Sequence, residues 1–129
     1  MPDTEAARLI ISAARRDFQA LENMLDSDGF PTEIFGFHAQ QAVEKALKAW
    51  LALLDLECPR THNIRQLVVL LENHGVDSEP LWKFVELTAF AVQFRYEAYE
   101  DLDEALDRPE LIDNISQLVS QVENLLQSF

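Results

Sequence analysis

Apolar side chains return at spacings of three and four in one segment after another, and that period points to a chain built from helices. The first such segment runs from about Asp3 or Thr4 to Leu25, with Ala7, Ile10, Ala14, Phe18, Leu21 and Leu25 on one side. A second carries Phe35, Ala39, Ala42, Val43, Ala46, Trp50, Leu53 and Leu54 on one face and fades after Leu54. The last presents Leu111, Ile115, Leu118, Val122, Leu125 and Phe129. No strand pattern interrupts them, and three glycines with five prolines are too few for a turn-rich β protein.

Start and stop signals divide the chain further. Gly29 is expected to stop the first helix, and Pro31 suits the first turn of the second. The loop DLECPRTHN follows, where Pro59 prevents continuation. Thr61 or Asn63 is placed to cap a third helix, Ile64 to His74, ended by Gly75. Ser78 with Pro80 reads as a fresh start, and the helix from Leu81 to Phe94 is apolar nearly all round, which predicts a central position. Near Arg95 the chain turns acidic, in RYEAYEDLDEALDRPE. Asp107, Pro109 and Glu110 then announce the last helix. The expected fold is all-α, an antiparallel up-and-down bundle of four to five helices, forming a single domain over residues 1–129.

Charge narrows the function classes. The formal net charge is −13, with −3 on residues 1–65 and −10 on residues 66–129. Sequence-independent grip on duplex DNA needs a basic surface, so that class is set aside, although a local basic patch in the first half stays open. Cys58 is the sole cysteine, which excludes an intramolecular disulfide framework. The acidic opening MPDTEAARLI is unlike a signal peptide, and no run reaches the roughly 18 apolar residues of a membrane span. A soluble cytoplasmic protein is expected.

Within this acidic chain, the stretch HAQQAVEKALKAW (residues 38–50) sets His38, Gln41, Lys45 and Lys48 along one helical line. Two readings stand. The stripe is a solvated face, with Glu44 and Lys48 forming an i,i+4 pair worth about 0.3–0.5 kcal/mol; or it is a polar surface built to hold something. Arg60, His62 and Arg65 surround the start of the third helix, a setting for phosphate binding, proton transfer or simple capping. Cys58 and His62 resemble half a metal site without a second ligand pair. Arg95 and Tyr96 close the apolar helix, as a delivery to a cleft or as a structural arginine paired with Glu97 or Glu100. Glu97, Glu100, Asp101 and Glu104 read as a solvated acidic face rather than a cation site, and Arg8, Arg15 and Arg16 as solvent-facing. No Gly-rich phosphate loop, nucleophile elbow or zincin motif is present.

The block FHAQQAVEKALKAWL, followed by a loop and THNIRQLVVLL, resembles the HEPN domain, the higher eukaryotes and prokaryotes nucleotide-binding fold. ARRDFQALENML is similar to the family's first helix and FRYE to its Arg-Tyr, so the resemblance spans roughly residues 7–128. It implies a helical bundle that commonly dimerises, and prokaryotic members frequently pair with a small nucleotidyltransferase in a toxin–antitoxin-like system. Some members cleave RNA; others bind nucleotides or partners without catalysis. The positions matching the family's polar signature are Gln41, Glu44, Lys45 and Lys48, then His62, then Arg95 and Tyr96. One departure matters. RNase members carry an Arg followed after four to six residues by His, and here Arg95 is followed by no His, while Arg65 precedes His74 by too many residues.

The expectation is therefore a non-catalytic homodimeric module binding a nucleotide or phosphate-bearing ligand and a nucleotidyltransferase. Its candidate contacts are His38, Gln41, Lys45, Lys48, His62, Arg65, Arg95 and Tyr96. No cofactor or metal is expected. An RNA-cleaving toxin with a variant site, or a purely structural or regulatory homodimer, are the alternatives.

Overall fold

The computed structural model describes residues 1–26, 28–91 and 106–129. These residues form α1 (Thr4–Glu22), α2 (Thr32–Leu53), α3 (Ile64–Asn73), a 3₁₀-helix (Glu79–Phe90) and α4 (Arg108–Gln127), with no strand among them. The all-α bundle expected from periodicity is what the chain forms.

Local chemistry sets the helix starts. Asp3 accepts from the Ala6 amide at 3.0 Å, Asn63 from Arg65 at 3.0 Å and Asp107 from Glu110 at 3.1 Å, each satisfying an orphan donor of a first turn. Of the two candidates for the third helix, Asn63 is thus the cap. Gly75 follows α3 at φ +91, a conformation in which a Cβ would be strained.

Helix α2 is the centre of the bundle. It packs against α1, α4, α3 and the 3₁₀-helix. Its side chains are buried on most of the circumference, including Phe35, Ala39, Ala42, Val43, Leu47, Leu51 and Leu53. Burying each larger apolar side chain contributes about 1.5–3 kcal/mol relative to exposure. Helix α1 runs antiparallel to α2: the Asp3 amide donates to Ala52 O at 3.0 Å, while Asp17 reaches His38 and Lys45. Helix α4 is antiparallel to α1 as well, with Arg108 beside Met24 and Glu123 beside Arg15.

Four sequence expectations need correction. The described part of the segment from Leu81, up to residue 91, is neither central nor an α-helix, and residues 92–94 of the expected helix lie outside the described residues. Leu81, Phe84, Leu87 and Phe90 are buried at strict intervals of three. Trp82, Val85 and Thr88 are half-buried, and Lys83, Glu86 and Ala89 exposed. At about 100° per residue, a strict triplet would smear over half an α-helix; at three residues per turn it stays in line. The first helix ends at Glu22, short of Leu25, because the chain turns there: Asn23 and Met24 amides close on Ala20 and Leu21 carbonyls, Met24 goes inward and Leu25 outward. Ile11, rather than Ile10, takes the buried position in α1. Phe129 lies past the end of α4 and is exposed.

Candidate functional site

Glu44 organises the polar face of α2. Glu44 is 4 % exposed, and its carboxylate accepts from Lys48 Nζ at 2.9 Å, Gln40 Nε2 at 2.7 Å and His62 Nδ1 at 3.0 Å. Gln40, fully buried, also donates to the His62 carbonyl at 3.3 Å and accepts from Gln41 Nε2 at 2.7 Å. The chain Gln41–Gln40–Glu44 thus fixes the loop before α3 against the middle of α2. Burial alone would push the Glu44 carboxyl up. The hydrogen bonds from Lys48, Gln40 and His62, with the Lys48 charge, outweigh it and hold the group below the ordinary 4.5.

A second carboxylate repeats the motif one helix away. Asp17 on α1 pairs with Lys45 Nζ at 2.6 Å and His38 Nδ1 at 3.1 Å. Each carboxylate therefore holds one lysine and one histidine. An ionised carboxylate only accepts, so Nδ1 carries the proton in both imidazoles. Lys45 is 31 % exposed, Lys48 19 % and the His62 ring 68 %.

The structure thus brings His38, Gln41, Lys45, Lys48 and His62 together on the face where α2 meets α1 and the loop before α3. The predicted Glu44–Lys48 pair is present, but around a buried carboxylate rather than on a solvated surface. Arg65 goes elsewhere: its guanidinium lies over the Trp82 ring at 5.6 Å. Arg95 and Tyr96 lie outside the described residues, as do Glu97, Glu100, Asp101 and Glu104. Arg15 is not solvent-facing. It binds the Glu123 carboxylate and spans the α1–α4 seam, whereas Arg8 and Arg16 are exposed. Among the described residues no three metal-ligating side chains gather.

Sequence reasoning missed Asp17 and Gln40. The signal for Asp17 was an acid set into the apolar line Ala14, Phe18, Leu21; for Gln40 it was the i,i+4 ridge that it begins with Glu44 and Lys48. It also missed Arg108, which is buried, donates to the Met24 and Phe30 carbonyls at 2.9 and 2.8 Å and covers the Phe35 ring.

A cleft of about 430 Å³ opens beside Lys48, floored by Ile10, Ala52 and Leu56. Asp3, Asp55 and Glu57 line it against one ammonium, so an anion is disfavoured there. The two-carboxylate face is the better candidate. No helix among the described residues is long and apolar enough to cross a membrane.

Comparison with known families supplies one match: the profile of the HEPN domain covers residues 7–127. No curated protein and no solved structure matches the chain.

Proposed function

The chain belongs to the HEPN domain family, and from that premise we propose that it is a non-catalytic, homodimeric binding module for a nucleotide or another phosphate-bearing ligand, paired with a small nucleotidyltransferase in a toxin–antitoxin-like system. The observation that carries the ligand reading is the gathering of Lys45, Lys48, His38 and His62 on one face of a chain with net charge −13. Asp17 and Glu44 hold these side chains in place, so an incoming phosphate meets ammonium groups that lose little freedom on binding. The missing Arg-to-His spacing supports a non-catalytic role. The partner and the dimer rest on family membership.

Native mass spectrometry of the protein expressed with its genomic neighbours tests this reading. A dimer carrying a nucleotidyltransferase subunit, or an adduct of nucleotide mass lost in a Lys45→Gln/Lys48→Gln variant, is the expected result. A bare monomer with no adduct would remove it.

One observation favours RNA cleavage as a second reading. Glu44 fixes His62 with its proton on Nδ1, which leaves the basic lone pair on Nε2 of a largely exposed ring, the tautomer a general base requires. Metal-free RNA cleavage abolished by His62→Ala would establish it; inert protein would set it aside.

A further inference from the structure

The face built on Asp17 and Glu44 has a charge that depends on its two histidines. With both imidazoles neutral, Lys45 and Lys48 cancel the two carboxylates, and the face is formally uncharged. With both protonated it carries two positive charges. The geometry also decides what each ring offers. Because Nδ1 faces a carboxylate, the neutral ring turns a lone pair outward at Nε2, which repels an oxyanion; only the imidazolium presents a donor there.

We propose that this face is a proton-loaded oxyanion site: a phosphate-like group binds at His62 Nε2 and the Lys48 ammonium, with His38 and Lys45 extending the site along α2, and binding draws protons onto the imidazoles. The proposal rests on the binding-module reading above and adds the atoms and the proton that the ligand needs. His62 is the centre because its ring is the more exposed and its carboxylate the more deeply buried. The charged groups joined to it are Glu44 and Lys48 on α2; Lys48 also borders the cleft that carries Asp3, Asp55, Glu57 and Cys58, Arg60 precedes His62 by two residues in the loop, and Arg65 is turned to Trp82. Around His38 they are Asp17 on α1 and Lys45 on α2. Glu44 stays ionised throughout the neutral range, since its neighbours hold its pKa down, and Cys58 stays a thiol, since burial pushes it up. The net charge of −13 opposes any anion, so the local charges must act at short range, within a Debye length of about 10 Å at 0.1 M salt.

By reciprocity, an anion that binds the imidazolium better than the imidazole raises the histidine pKa. The experiment follows the Hε1 resonances of His38, His62 and His74 through a pH titration. It is run once in chloride and once with sulfate replacing chloride at equal ionic strength. Sulfate keeps its charge across this range. His74 is the internal control: its Nδ1 faces the Leu70 carbonyl at 2.8 Å, with no lysine or carboxylate paired to it among the described residues. The expected result is an upward shift of about half a unit or more for His62, a coupling of about threefold. The His38 shift should be smaller, His74 should not move, and Lys48→Gln should abolish the His62 shift. No shift at His62, or equal shifts at all three, overturns the proposal. The two readings separate cleanly. Nucleotide binding without a His62 shift sinks the proton-loaded site and keeps the module; a His62 shift without nucleotide affinity does the reverse.

Discussion

Replacing Glu44 by leucine would leave Lys48 and the buried Gln40 aiming donors at an apolar side chain, while the more exposed His62 could turn to water. Removing one partner of a buried ionic network strands the others, so we expect a loss of about 3 kcal/mol in urea-induced unfolding. Glu44→Gln keeps the shape but not the charge, and should cost less. The pH dependence has a definite sign. A carboxyl whose folded pKa is depressed below its unfolded value contributes stability that is present above the ordinary 4.5 and is lost as pH falls through the folded pKa. The wild type should therefore lose stability on acidification below about 4.5, and Glu44→Gln should show a flatter curve over the same window. Equal slopes would show that the carboxylate contributes nothing to the linkage. At this scale the sequence displayed the Glu44–Lys48 spacing but not the burial. Whether an i,i+4 pair is solvated depends on what another segment lays over it, here the His62 loop 18 residues away.

At the scale of elements, two contacts explain residues that propensity alone would reject. Gly36 sits inside α2, where glycine is about 0.5–1 kcal/mol worse than alanine. A Cβ at that position would overlap the Phe90 ring, so the glycine is where the end of the 3₁₀-helix meets α2. Gly36→Ala should thus destabilise by about 1–3 kcal/mol, opposite to the helix-propensity expectation, because overpacking outweighs the backbone gain. Pairing it with Phe90→Ala should make the double variant less unstable than the sum of the singles. The second contact is Arg108. Its removal frees the Met24 and Phe30 carbonyls that it bridges, and Arg108→Ala should speed hydrogen exchange in residues 23–26 and 28–30 before any global loss of structure appears. These two contacts show where sequence legibility ended. Helices α1 to α4 followed from period, caps and prolines. The 3₁₀-helix was written in the strict triplet Leu81, Phe84, Leu87, Phe90, yet its half-buried flank of Trp82 and Val85 read as an apolar α-helix.

For the whole molecule, the decisive quantity is the imbalance between an apolar core that pulls the helices together and a charge of −13 that pushes its surface apart. The two respond differently to salt. Added sodium chloride screens the net negative charge, −10 of which falls on residues 66–129, over distances beyond a Debye length. It barely weakens the Glu44 cluster, whose members sit at hydrogen-bond distance with the carboxylate buried. Repulsion is the term that falls, so the melting temperature should rise between low and physiological salt by a few degrees, equivalent to about 1 kcal/mol for a chain of this size. A paired-charge protein without net charge would instead lose a little stability as its surface pairs are screened. A falling melting temperature would mean that the ion pairs Arg15–Glu123, Lys45–Asp17 and Lys48–Glu44 govern stability more than the net charge does. A larger rise in sulfate than in chloride at matched ionic strength combines exclusion of sulfate from the protein surface with any binding. The binding part is the portion that Lys48→Gln removes, because preferential binding to the folded state stabilises only while its site is intact.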